Sequence, residues 1–158
     1  MYKTSDVIKK LDKPVLTYKD TPYNSALIFN ASVEKINGKY VMLFRNDYGD
    51  FENQKLEGTS IGFATSDNGI DWKVSDKTRF QASKGEEITR IYDPRITVID
   101  GVCYVCFAVD TRHGVRGGIA KTDDFENFEI ISLSVPDNRN MVLFPEKING
   151  NYVRLERP

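Results

Sequence analysis

Ser32-Val33-Glu34-Lys35-Ile36-Asn37-Gly38-Lys39-Tyr40-Val41-Met42-Leu43-Phe44 has two apolar, β-branched arms around an Asn-Gly pair. Asn-Gly supplies the positive φ angles of a two-residue turn, so the segment is predicted to be a β-hairpin. The pattern recurs twice. Ile96-Thr97-Val98-Ile99 runs through Asp100-Gly101 into Val102 to Val109, and Phe144-Pro145-Glu146-Lys147-Ile148 runs through Asn149-Gly150 into Asn151 to Leu155. Each places a tyrosine two or three residues after the glycine: Tyr40, Tyr104 and Tyr152. A second motif accompanies the hairpins. Ile61-Gly62-Phe63-Ala64-Thr65-Ser66-Asp67 leads to Trp72, and Gly118-Ile119-Ala120-Lys121-Thr122-Asp123 leads to Phe128.

The repeating unit is therefore a hairpin, a longer loop and a further strand pair closed by an aromatic. Units of about four strands at such spacing predict an all-β fold built from the blades of a β-propeller. A β-sandwich would also use hairpins, but the joint recurrence of hairpin and aromatic favours blades. After a short segment, 1–13, the units are expected at about 14–80 and 81–135, with an incomplete third at 136–158. The ending, Tyr152-Val153-Arg154-Leu155-Glu156-Arg157-Pro158, reads as strand without a polar tail, so part of a propeller is expected. Helical character is confined to the start, where Ser5 or Asp6 is placed to cap a turn carrying Val7, Ile8 and Leu11. Ser66-Asp67-Asn68-Gly69-Ile70-Asp71-Trp72 has the look of a turn braced by its Asp and Trp, which supports the fold and not an activity.

Composition narrows the function. The 158 residues carry 22 Lys+Arg and 23 Asp+Glu, a formal charge of −1, with 40% hydrophobic and 28% charged side chains. A near-neutral chain without basic clusters argues against nucleic acid as a partner. No run approaches the ~20 apolar residues of a membrane span. The first residues lack the charged head and apolar stretch of a signal peptide, so the cytoplasm is the expected compartment. Cys103 and Cys106 form a C-x-x-C pair, but within a strand they point to opposite faces. Neither a metal site nor a disulfide is expected.

Five segments set charged or amide groups directly beside apolar strands: Phe29-Asn30-Ala31, Phe44-Arg45-Asn46-Asp47, Ile91-Tyr92-Asp93-Pro94-Arg95, Asp110-Thr111-Arg112-His113-Gly114 and Asp137-Asn138-Arg139-Asn140. In a propeller such positions gather at the central channel, which makes a shared polar site the expectation. Tyr40, Tyr104 and Tyr152 are assigned to packing between units.

Tyr92-Asp93-Pro94-Arg95-Ile96-Thr97-Val98, the Asp110 segment and Asp137-Asn138-Arg139-Asn140-Met141-Val142-Leu143-Phe144-Pro145-Glu146-Lys147 together resemble glycoside hydrolase family 130. The resemblance runs from about Pro14 to Pro158. It implies a five-bladed propeller with the active site in the central cavity, this chain covering about the first two to three blades. It also implies inverting β-mannoside phosphorolysis, in which inorganic phosphate is co-substrate, no cofactor is needed and α-mannose 1-phosphate is released. Hydrolytic inversion needs two carboxylates, one of them to activate water. Phosphate is already anionic, so one acid and a cationic cradle suffice.

By this resemblance Asp93 matches the family's catalytic acid, which passes its proton to the leaving oxygen through a sugar hydroxyl. Arg139, Asn140 and Arg157 match phosphate-binding positions, and guanidinium forks suit phosphate oxygens. Asn30 and Arg45 match residues lining the mannose pocket. Asp110, Arg112 and His113 are candidates to line the site without an assigned role. The implied partners are a β-mannoside oligosaccharide and phosphate. Two alternatives stay open: a β-mannoside hydrolase of the same family and a non-catalytic glycan-binding module. Arg139 with Asn140 favours phosphorolysis, since the family's hydrolases lack the phosphate-binding arginines. Members of the family are roughly twice as long, and their remaining blades supply further phosphate contacts and much of the acceptor site. The chain is accordingly expected to be inactive alone, and to associate with a copy of itself or with the missing half, because open sheet edges invite pairing.

Overall fold

A computed structural model describes residues 8, 10–50, 52–53, 55–81 and 88–158. The turn expected at Ser5 or Asp6 lies outside the described residues. Among the described residues one turn of 3₁₀ helix, Tyr18–Asp20, precedes eleven strands. They are β1 (Leu27–Ile36), β2 (Lys39–Asp50), β3 (Lys55–Ser66), β4 (Lys73–Val74), β5 (Arg79–Gln81), β6 (Ile88–Ile99), β7 (Val102–Thr111), β8 (Gly114–Thr122), β9 (Glu129–Leu133), β10 (Arg139–Leu143) and β11 (Arg154–Arg157). The fold is all-β, in three antiparallel sheets: β1-β2-β3-β4 with β5 on β3, β6-β7-β8-β9, and β10-β11. Strand order in the two larger sheets follows chain order, a meander without the crossed connections of a Greek-key sandwich.

The three expected turns carry the left-handed pairs that Asn-Gly and Asp-Gly favour. The φ angles are 50° and 83° at Asn37-Gly38, 51° and 78° at Asp100-Gly101, and 51° and 78° at Asn149-Gly150. The third hairpin nevertheless differs from its expected form. Its first arm is not Phe144 to Ile148 but β10, one segment earlier. Around the turn only an isolated Ile148–Asn151 bridge forms, while Phe144 N–H donates to the Val153 carbonyl at 2.9 Å. Pro145 has no N–H to continue the ladder, which is why the regular arm stops short.

Both larger sheets repeat the same internal chemistry. Phe44 faces Gly62 across β2 and β3, and Phe107 faces Gly118 across β7 and β8. A Cβ on either glycine would run into the opposite ring. The third strand of each sheet then enters a braced turn. In the first, Ser66 Oγ accepts from the Asn68 and Gly69 N–H groups, and Asn68 Oδ1 accepts from those of Ile70 and Asp71. Asn68 is the main brace and donates through Nδ2 to Asp71 Oδ2 at 2.8 Å, whereas Asp67 is exposed and lies 3.7 Å from Lys39. Asn68 wins because its side chain, one residue later, curls back over the turn. Trp72 completes the turn through Nε1–H to the Gly69 carbonyl at 3.1 Å.

In the second sheet Thr122 and Asp124 take the places of Ser66 and Asn68. Asp124 Oδ1 accepts from the N–H groups of Glu126 and Asn127, each at 2.8 Å. These backbone donors, Asn127 first, hold the Asp124 carboxyl at about 2, below its ordinary 3.8. The depressed value makes this turn's contribution fully present above pH 3.8 and lost as pH falls through about 2. The stability difference between wild type and Asp124→Ala, read from chemical denaturation, should therefore shrink on acidification through that window. A difference that stays constant would remove Asp124 as the brace.

The core lies between sheets. Val41, Leu43, Ile61, Ile96, Cys103 and Val105 pack together where the first two sheets meet. Cys106 projects from the other face of β7 into a cluster with Ile119, Met141 and Leu143, beneath the third sheet. The cysteines thus occupy opposite faces; both are free, and burial pushes each thiol up to about 11. Tyr104 and Tyr152 join the second and third sheets, with hydroxyls 3.0 Å apart and rings edge to face at 5.5 Å.

One irregularity recurs and positions the site. The first strand of every sheet loses register at an equivalent place: between Phe29 and Ser32, between Tyr92 and Arg95, and between Arg139 and Val142, with β6 carrying a further shift between Ile88 and Arg90. Inside each break sits a left-handed residue, Asn30 (φ 49°), Asp93 (φ 56°) or Asn140 (φ 55°). Asn and Asp tolerate this region far better than bulkier residues do. Bulges of this kind re-aim a side chain out of the ladder. Three equivalent bulges therefore present an amide, a carboxylate and an amide.

Candidate functional site

Asn30 and Asp93, 63 residues apart in the chain, meet: Asn30 Nδ2 donates to Asp93 Oδ1 at 2.8 Å. Arg45 approaches the same oxygen through Nη1 at 3.6 Å. Its guanidinium lies over the rings of Phe29 and Tyr92, at 4.6 and 4.8 Å from their centroids. Its other edge is held by Asp47, Nε to Oδ1 at 2.7 Å and Nη2 to Oδ2 at 2.9 Å. Burial alone would lower the Arg45 pKa, but Asp47 and then Asp93 outweigh it and hold the group above its ordinary range. The structure thus brings together Asn30, Arg45 and Asp93. Each can offer hydrogen bonds of the kind that sugar hydroxyls accept or donate.

Arg139, Asn140 and Arg157 form a second group. β10 pairs Arg139 opposite Arg157. With its amide oxygen facing the guanidinium, Asn140 accepts from Arg157 Nη1 and Nη2 at 3.3 and 3.2 Å. Arg139 and Arg157 line an open recess of about 370 Å³ with Val115, Asp137 and Pro158. Among the described residues neither guanidinium is in an ion pair. Two guanidinium groups on facing strands repel unless an anion lies between them, so the recess suits an oxyanion.

Tyr92 borders the first group. Its ring carries the Arg45 guanidinium, and its hydroxyl donates to Asp110 Oδ1 at 2.6 Å. Burial, followed by that bond to Asp110, pushes the Tyr92 hydroxyl up to about 12, opposed by the charges of Arg90 and Arg139. Arg90 also reaches Asp110 Oδ2, at 3.3 Å. Asp110 therefore borders the site. Arg112 and His113 do not join it: they are exposed in the β7–β8 turn, bonded to each other, Arg112 Nε to His113 Nε2 at 3.0 Å. Among the described residues no cluster of three or more His, Cys, Asp or Glu side chains could hold a metal ion.

Asp47 and Tyr92 fall in the candidate segments without an assigned role, and Arg90 is a participant that sequence reasoning did not name. The i, i+2 spacing of Arg45 and Asp47 on one strand face was the available signal for the first. Tyr92 meets Arg45 through packing between sheets, and Arg90 meets Asp110 through the register of β6 on β7, neither of which leaves a local trace.

The profile of the family described as beta-1,4-mannooligosaccharide phosphorylase matches residues 2–158. The chain is 35% identical to the beta-1,4-mannooligosaccharide phosphorylase of Ruminococcus albus over 97% of its own length and 47% of that protein's. It is 31% identical to the 1,2-beta-oligomannan phosphorylase of Thermoanaerobacter sp. strain X514, covering 95% of itself and 53% of the relative. The structure of the beta-1,2-mannobiose phosphorylase of Listeria innocua with beta-1,2-mannobiose superposes with a TM-score of 0.71 at 26% identity, over 85% of this chain and 51% of that one. The chain spans about half the length of the curated relatives it matches. It belongs to glycoside hydrolase family 130, the family of mannoside phosphorylases.

Proposed function

We propose that this chain supplies about half of the active site of an inverting β-mannoside phosphorylase, on two complete blades and part of a third in a five-bladed propeller. In this reading a mannose unit rests against Asn30, Arg45 and Asp93, and phosphate lies between Arg139 and Arg157. A phosphate oxygen attacks the anomeric carbon from the ring face opposite the leaving group, and the glycosidic C–O bond breaks. The Asp93 proton reaches the departing oxygen through a sugar hydroxyl, leaving α-mannose 1-phosphate and a shortened saccharide. The Tyr92 ring lies against the Arg45 guanidinium and limits its movement in the sugar pocket.

The observation that carries the reading is a recess lined by two guanidiniums, neither of them in an ion pair among the described residues, together with the carboxylate–amide–guanidinium group on the neighbouring strands. A hydrolase has no need of such a cradle, since water is neutral. The test is cleavage of β-mannobiose by the assembled enzyme, followed by phosphorus NMR. Turnover should require added phosphate and give α-mannose 1-phosphate. Free mannose without phosphate would assign a hydrolase instead. The 158-residue chain alone is expected to be inactive, and brisk phosphorolysis by it would contradict the division of the site.

A further inference from the structure

We propose that Asp47 is a positioning residue for the reaction: it fixes the Arg45 guanidinium so that Nη1 faces Asp93 and the sugar. This inference rests on the phosphorolysis reading and deepens it.

A guanidinium has five N–H donors and ordinarily several ways to turn. Here Asp47 spends both carboxylate oxygens on one edge of Arg45, the Nε and Nη2 edge. Phe29 and Tyr92 lie against the guanidinium, which limits its tilt. Three N–H groups remain, one on Nη2 and two on Nη1, and it is Nη1 that is directed at Asp93 Oδ1. The side chain of Asp47 is only 8% exposed, against 16% for Asp93, and both its oxygens are engaged, so it has nothing to offer a substrate directly. Its backbone is also anchored, through its carbonyl, which accepts from Ala26 N–H at 2.8 Å. The neighbouring Asn46 is locked separately by Ser25, Ser60 and the Asn24 carbonyl. The strand that carries the pair therefore cannot shift to compensate for a lost contact. Asp47 acts through Arg45, and Arg45 meets Asp93.

The test is a kinetic cycle in the assembled enzyme together with a spectroscopic readout on the 158-residue chain. Asp47→Asn keeps the shape but loses the charge-assisted fork, and should lower kcat by about 100-fold, the cost of roughly an ångström of misplacement. The KM for phosphate should change by less than about twofold, because uniform phosphate binding is untouched. Arg45→Lys should cost a similar factor, and the double variant should fall no further than the worse single one. In nitrogen-15 spectra of the chain, Arg45 Nε–H should be a separate, slowly exchanging signal that Asp47→Asn abolishes. Additive losses, a raised phosphate KM, or an Arg45 signal unmoved by Asp47→Asn would each overturn the proposal. If the wild-type enzyme lacks phosphorolysis, the functional reading fails, while the Nε–H signal still decides whether Asp47 holds Arg45.

Discussion

Asp93→Asn in the assembled enzyme is expected to lower kcat by roughly 10²–10⁴-fold, the usual contribution of a general acid, while mannoside binding persists. The substitution suits the test because it changes little else. Asn is as tolerant as Asp of the left-handed φ of 56° at this bulge, so the backbone is not strained. The side chain is isosteric and can still meet Asn30 and Arg45. What it cannot do is release a proton. Turnover and calorimetric sugar binding, measured side by side, separate this loss from damage to the pocket. Retained turnover would remove Asp93 as the acid, whereas loss of binding with turnover would reduce it to a structural contact.

Arg157→Ala should act on the other substrate. A hydrogen bond to a charged group contributes about 1.5–3 kcal/mol, so losing its contacts should raise the phosphate KM by roughly 10- to 100-fold. Arg139→Ala should do the same, and the lysine variants should recover only part of the loss, because an ammonium keeps the charge without the planar fork. Mannoside binding should be nearly unaffected in all of them. Asn140 enters the same argument, since its amide holds the Arg157 guanidinium at 3.2–3.3 Å. A phosphate KM indifferent to both arginines would leave the recess without a role in catalysis.

The parts of the fold that depend on near neighbours were legible in the sequence. Asn37-Gly38, Asp100-Gly101 and Asn149-Gly150 fix their own turns, because positive φ at both central residues is a local requirement. The opposite faces of Cys103 and Cys106 follow from strand alternation alone. The third hairpin was misread where local and ladder demands conflict: apolar Phe144 and Ile148 look like strand, but Pro145 stops it. Asn30, Asp93 and Asn140 could be named as polar residues beside strands. Their equivalence as three left-handed bulges could not, since a register break belongs to two strands at once. The contacts of Asn30 with Asp93 and of the Arg45 guanidinium with the Tyr92 ring arise only when separate sheets pack together.

The central claim is that acid and oxyanion cradle serve one reacting carbon. A crystal structure of the Asp93→Asn enzyme with β-mannobiose and phosphate tests it most directly. The account predicts a sugar hydroxyl hydrogen-bonded to residue 93 and phosphate held by Arg139 and Arg157 on the opposite side of the same anomeric carbon. Phosphate bound elsewhere, or a sugar out of reach of residue 93, would contradict it.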